Sequence, residues 1–137
     1  MCAPRLLDGP KPLRRPGDLR HHILLHDDSL SFDKTAPGWS TWLKAAAVKG
    51  VDARRGPRFS HPDHAMQAAM DGAGVVLSRR KLASADLAAG RLAIPFDLPL
   101  PMGLGFHLVS SPASSARPKV AAFREWLLSE IREGRER

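Results

Sequence analysis

The stretch Arg58-Phe-Ser-His-Pro-Asp-His-Ala-Met-Gln-Ala-Ala-Met-Asp-Gly-Ala-Gly-Val-Val-Leu77, RFSHPDHAMQAAMDGAGVVL, changes its pattern twice. Gly56-Pro57 just before it argues against helix, leaving Arg58-Phe59 as a short strand or extended segment. Ser60 has the side chain of a helix cap, since its hydroxyl suits an unpaired backbone N–H of a first turn. Asp63, three residues on, offers the second half of a capping-box-like pair, and Pro62 lacks an N–H that would be unpaired there anyway. Ala65, Met66, Ala69 and Met70 continue an apolar stripe at helical spacing, which Gly72 and Gly74 close. Val75-Val76-Leu77 then reads as a buried strand. The order is strand, helix, tight turn, strand.

Working outward, Ile23-Leu24-Leu25 within HHILLHDD has the length and apolarity of another strand buried on both faces. In PGWSTWLKAAAVKG, Trp39, Trp42, Leu43 and Ala46 share one helix face, and Gly50 suits the position just beyond the helix end. Arg79 to Gly90 suggests a short helix with Leu82 and Leu87 on its apolar side. LAIPF and GFHLVSS look like strands separated by DLPLPMG. A last helix begins near Pro118, capped by Ser114 or Ser115, with Val120, Phe123, Leu127 and Ile131 as its buried face and Trp126 beside them. Trp39, Trp42 and Trp126 read as core or lobe-interface residues rather than stacking platforms. Strands alternating with helices define an α/β fold with at least partly parallel strands.

With 137 residues the chain is the size of one domain, able to bury roughly two-thirds of its unfolded surface. Its 43% hydrophobic and 26% charged residues are those of a folded globular protein and weigh against disorder. No apolar run approaches the roughly 18 to 20 residues that cross a bilayer, and MCAPRLLDGPKP has no secretory apolar segment, so a cytoplasmic location without membrane partners is expected. Cys2, the single cysteine, cannot form an internal disulfide. The formal charge of +7 favours weak association with polyanions, but the cations fall in small groups without interleaved aromatics. Direct sequence-specific DNA binding by this chain is therefore not expected.

His61 and His64, with Asp63 or the His21, His22, His26, Asp27, Asp28 group, contain zinc-type ligands. The spacing is unspecific, helical ligand pairs usually lie four apart, and exposed polar residues are the better reading; no metal is expected. HDDS, His26 to Ser29, follows a strand, where α/β clefts gather ligands. A histidine beside two carboxylates suits acid-base chemistry, yet no nucleophile motif, phosphate-cradling glycine loop or cofactor fingerprint accompanies it. Neither enzyme activity nor a cofactor is expected.

The ordered segments PLRRPGDLRHHILLHDDS, WSTWLKAAAV, GPRFS with its following helix, AAMDGAGVVLSRRKLASADLAAGRLAIPF and PKVAAFREWLLSE resemble the effector-binding domain of LysR-type transcriptional regulators. The character is that of the glycine cleavage system activator-like group. The most specific element is GxGVxLxxxxLxxxDLAxGRLxxPF, spanning Gly72 to Phe96. The resemblance implies a type 2 periplasmic-binding-protein-like fold: residues 1–20 as lead-in and hinge, 21–98 as the second lobe, and 99–137 as return strand and C-terminal helix of the first lobe. It implies no helix-turn-helix within this sequence, hence a truncated sensing domain. A small-molecule effector, anionic in character, is expected at the helix start, where N–H groups and the positive dipole end favour anions. Ser60 and His61 are the leading contacts, with Phe59 as a wall and His26 in a minor role; Asp63 works against an anion. LAIPF, GFHLVSS and the last helix would ordinarily pack on a first lobe, so self-association or pairing with a full-length regulator is expected. A small basic protein binding nucleic acid or a protein partner without ligand sensing is the alternative.

Overall fold

In the computed structural model, which describes residues 1–133, the chain begins with α1 (Arg5–Asp8), a 3-10 helix (Pro16–His21), β1 (Leu24–Asp27) and α2 (Trp39–Ala45). β2 (Arg58–Phe59), α3 (Pro62–Met70), β3 (Val75–Val76) and α4 (Ser84–Ala88) follow, and then α5 (Pro112–Ser115) and α6 (Pro118–Glu133). Two compact units result: Met1–Gly103 carries everything through α4, and a second beginning at Leu104 carries α5 and α6.

β1 is the middle strand of a three-stranded sheet ordered β2-β1-β3, and both its pairings are parallel, as the strand-helix-strand pattern requires. Leu24 and Leu25 lie opposite Val75 and Val76, while His26 and Asp27 lie opposite Arg58 and Phe59. Because successive side chains point to opposite faces, the sheet feeds two cores. Leu24 and Val75 join Trp39, Trp42 and Leu43 of α2; Leu25 and Val76 join Ala65, Met66 and Ala69 of α3. Each aliphatic side chain sealed this way contributes about 1.5–3 kcal/mol. The tryptophans also bond the backbone: Trp39 Nε1–H donates to Leu25 O at 3.0 Å and Trp42 Nε1–H to Leu98 O at 3.1 Å. Their rings meet edge to face at 5.9 Å.

The expected strand at Leu92–Phe96 forms only an isolated antiparallel bridge. Cys2 N–H donates to Ala93 O at 3.0 Å and Ala93 N–H to Cys2 O at 2.8 Å. Met1 exchanges bonds with Val76 in the same manner, so the first residues lie between β3 and Ala93. Burial there lowers the pKa of the Met1 ammonium to about 6. Pro95 removes the next ladder donor, and Phe96 packs on Trp42 instead.

Other expectations are corrected by the structure. Gly105–Ser111 forms no strand: it has no ladder partner among the described residues, and Phe106, Leu108 and Val109 are exposed. The helix expected over Arg79–Gly90 is confined to Ser84–Ala88, after a turn in which Leu82 and Ala83 N–H groups both donate to Arg79 O. α6 starts at Pro118 as expected, but Ser114 and Ser115 belong to α5, where Ser111 is the cap, accepting from Ser114 N–H. The face anticipated as buried is only partly so: Val120 and Leu127 are half-buried, whereas Phe123 is 55% and Trp126 54% exposed, with rings 5.5 Å apart, and Ile131 is exposed too.

α2 ends earlier than Gly50 suggests. Ala47 takes the left-handed conformation at φ 53°, its N–H donating to Lys44 O while Val48 N–H donates to Leu43 O. This is the pattern of crossed bonds that closes α3 at Gly72 and α4 at Gly90, both with positive φ. Only at α2 does a side chain occupy the strained position. The left-handed conformation costs an L-residue roughly 1–2 kcal/mol, partly offset because glycine is freer when unfolded. Ala47→Gly is therefore expected to stabilise the fold by about 0.5–1 kcal/mol and to raise the melting midpoint by about 2–4 °C in calorimetry. An unchanged or lower midpoint would contradict the strain at Ala47.

Candidate functional site

Parallel strands present their carboxyl ends together, and in α/β sheets that edge is where ligands bind. Beyond β1, Asp28 N–H donates to Phe59 O at 2.8 Å, and Asp27 Oδ1 accepts from Ser29 N–H at 2.9 Å. Arg58 Nη1 donates to both Asp28 carboxylate oxygens, at 2.9 and 3.1 Å, tying the end of β1 to β2. The pair is exposed enough that its worth lies in orientation more than stability. Phe59 is half-buried against the layer of Leu25 and Met66, so its ring belongs to the floor of this edge.

The backbone gives Ser60 a different role from the expected cap. His61 occupies the cap position of α3 in extended backbone and makes no side-chain capping bond. Helical geometry therefore begins one residue later than the Ser60 reading supposes, and the Ser60–Asp63 capping box is absent. Ser60 Oγ instead pairs with His61 Nδ1 at 3.0 Å, and both residues are exposed. As a result the N–H groups of Asp63 and His64 have no partner among the described residues. That leaves two donors and the positive end of α3 facing outward, with the Asp63 carboxylate as the nearby opposing charge.

His61 and His64 stand one turn apart with ring centroids 5.3 Å apart. Among the described residues no group of three or more His, Cys, Asp or Glu is placed to share an ion. His26 is not brought to this pair. It is 8% exposed, and its Nε2–H donates to Arg55 O at 3.1 Å, in the loop ahead of β2, whereas Ser60 and His61 follow that strand. The loop is pressed against β1: Gly56 has φ +117°, and a Cβ there would lie 1.9 Å from Leu24 O. Only glycine permits that approach, which seats the Arg55 carbonyl against the His26 ring.

Two residues escaped sequence reasoning. The hydroxyls of Ser29 and Ser78 are buried and have no hydrogen-bond partner among the described residues. Each lies two positions beyond its strand, Ser29 after β1 and Ser78 after β3, so both belong to the same carboxyl edge. The available signal was a serine just past each apolar run, in ILLHDDS and VVLS; HDDS drew notice for its histidine and aspartates instead. An unpaired buried hydroxyl costs about 1–3 kcal/mol. Ser29→Ala and Ser78→Ala are therefore each expected to raise the unfolding free energy by about 1 kcal/mol in urea melts of the ligand-free chain. A loss of stability in both would remove these hydroxyls from the candidate site.

Residues 1–132 match the family described as LysR substrate binding domain. The chain is 38% identical over 129 residues to the glycine cleavage system transcriptional activator of Escherichia coli K12, covering 94% of this chain and 40% of the relative. It is 30% identical over 133 residues to the homologous activator of Haemophilus influenzae, covering 97% of this chain and 42% of that one. It thus spans about two-fifths of the length of these relatives. Among solved structures, the effector domain of the transcriptional regulator AmpR of Pseudomonas aeruginosa superimposes with a TM-score of 0.63 at 24% identity, over 99% of this chain and 63% of that one. The fold is accordingly the α/β, periplasmic-binding-protein-like one.

Proposed function

We propose, from the premise that this chain belongs to the LysR substrate-binding-domain family, that it senses a small anionic metabolite at the carboxyl edge of its sheet. The chain is a regulator's effector-binding domain, and its relatives are named as transcriptional regulators rather than enzymes. The observation that carries the site is the open start of α3, where Asp63 and His64 N–H groups lack partners because neither Ser60 nor His61 caps the helix. A carboxylate or phosphate there would accept from those donors, with the Ser60 hydroxyl and the His61 ring beside them. The buried hydroxyls of Ser29 and Ser78 would hold the ligand's neutral polar groups deeper along the edge. His26 supports the site by fixing the loop ahead of β2, through Arg55 O, instead of touching the ligand.

Binding matters to a regulator only if two states differ in affinity for the ligand. The family's fold provides such states as arrangements of lobes, and we place this chain's output in contacts with the rest of a regulator. No helix among the described residues is long and apolar enough to cross a membrane, and we assign the chain to the cytoplasm alongside transcriptional regulators. Within the second unit, the exposed Phe123, Trp126 and Ile131 of α6 form the surface on which we place association with another chain.

Two measurements test this reading. Titration calorimetry of the chain against a panel of small carboxylates and phosphate esters is expected to find a ligand whose affinity falls about tenfold in Ser60→Ala, the value of one charge-assisted hydrogen bond. Silence across the panel from a chain that melts cooperatively would sink it. Sedimentation is expected to show concentration-dependent self-association that Trp126→Glu abolishes; a single monomeric species at all concentrations would rule out pairing through α6.

A further inference from the structure

A second charged feature lies at the opposite end of β1. Ahead of that strand, an open cavity of about 470 Å³ is lined by Lys11, Arg14, Arg15 and His21, with Pro10 and Pro12 as its apolar walls. The 3-10 helix gathers them: Arg14 and Arg15 N–H groups donate to Asp18 Oδ2 at 3.2 and 3.0 Å, and Arg15 Nε–H to Asp18 Oδ1 at 3.3 Å. These bonds hold the Asp18 carboxyl below its usual range. Asp18 is the only carboxylate among the residues lining the cavity.

The positive surface continues past the cavity. Arg55 Nη2 donates to His22 O at 2.7 Å and to Arg20 O at 3.2 Å, which sets its guanidinium against the 3-10 helix. Those acceptors are neutral, so they orient the charge without cancelling it. Arg20 behaves alike, its Nε–H meeting the His21 Nε2 atom at 2.9 Å. Asp52, three residues before Arg55, is occupied in its own loop, accepting from Arg54 N–H. Lys11, Arg14 and Arg15 thus share the cavity with one carboxylate, Asp18, and Arg20 and Arg55 extend the positive surface, with Asp52 as the nearby opposing charge in the Arg55 loop. Arg55 is oriented by backbone carbonyls, Arg15 by Asp18 and Arg20 by the His21 ring, which gathers cations that are separated in the sequence.

We infer that this surface is a sequence-independent contact for the phosphate backbone of duplex DNA. The cations are exposed and spread along a surface instead of converging on one enclosed point, which suits a linear array of phosphates better than a single bound anion. The lining holds no Asn, Gln or Glu and no helix or strand that a major groove would admit beyond the short 3-10 turn, so the contact is assigned to phosphates and not to base edges. The contact uses side chains ahead of β1 and β2, while the effector site lies beyond their carboxyl ends; the two share only the Arg55 loop, whose carbonyl meets His26.

The test uses the full chain and a short DNA duplex, followed by fluorescence anisotropy against salt. Four phosphate contacts give a slope of log affinity against log salt of about −3.6, or a loss of about a hundredfold between 50 and 200 mM. The variant Lys11→Gln, Arg14→Gln, Arg20→Gln, Arg55→Gln is expected to abolish most of that slope and lose binding at 50 mM. A control with the same loss of charge elsewhere, Lys34→Gln, Lys44→Gln, Lys119→Gln, Arg124→Gln, is expected to keep it. Equal losses in both variants would mean net charge alone and overturn the inference. So would binding of inorganic pyrophosphate at this surface with no affinity for the duplex. If the quadruple variant fails to fold, Lys11→Gln with Arg14→Gln, which spares the side-chain bonds of Arg55 and Arg20, is expected to halve the slope. Ser60→Ala is expected to leave the slope unchanged, which separates failure here from failure of the effector reading.

Discussion

Everything in the first unit depends on β1 being buried from both sides. A strand of four residues offers few side chains, and this one uses both pleats: Leu24 to the layer beneath α2 and Leu25 to the layer beneath α3. The neighbours on either edge are only two residues long, too short to stand without helices above and below. The backbone has to close tightly around such a strand. Trp39 reaches down to the Leu25 carbonyl, and Gly56 lies so near Leu24 that any side chain would collide with it. A one-residue slip of β1 would exchange its two faces and put Leu24 where Leu25 belongs.

That doubly buried geometry explains how much of the fold was legible. Continuous apolar runs at Ile23–Leu25 and Val75–Leu77 signal strands covered on both faces, and the helical stripes that cover them are visible in Trp39, Trp42, Leu43 and in Ala65, Met66, Ala69. Segments whose conformation depends on distant partners were less legible. Leu92–Phe96 and Gly105–Ser111 have the composition of strands, but composition does not supply a ladder; the first makes a single bridge to Cys2 and the second joins no strand ladder among the described residues. α6 carries the pattern of a buried helix for the same reason: its apolar spacing is intact, yet Phe123, Trp126 and Ile131 are exposed.

The candidate site was legible as a place more than as a set of atoms. RFSHPD marks the start of a helix, and the structure puts one there, yet a shift of one residue turns Ser60 from a cap into a neighbour. A hydroxyl's direction is set by backbone angles that no local pattern reveals. The shift changes the chemistry: a capped helix has used its first donors, and an uncapped one still offers them. Ser29 and Ser78 were harder still, because an unpaired buried hydroxyl is defined by what does not surround it. His26, the most conspicuous side chain of its segment, is withdrawn into a backbone bond.

The two charged features of the sheet differ in how their charge is held. At the carboxyl edge Arg58 is matched by Asp28, and the positive character resides in the backbone donors of α3, which act over hydrogen-bond distance and select by geometry. Ahead of the amino end the guanidinium of Arg55 is bonded to neutral carbonyls and its charge is left over, which acts over a Debye length and selects only by sign. β1 separates them by about 13 Å. Raising ionic strength should therefore silence the second far sooner than the first, so one fold can recognise a small ligand and be drawn to a polyanion without either interaction using the other's groups.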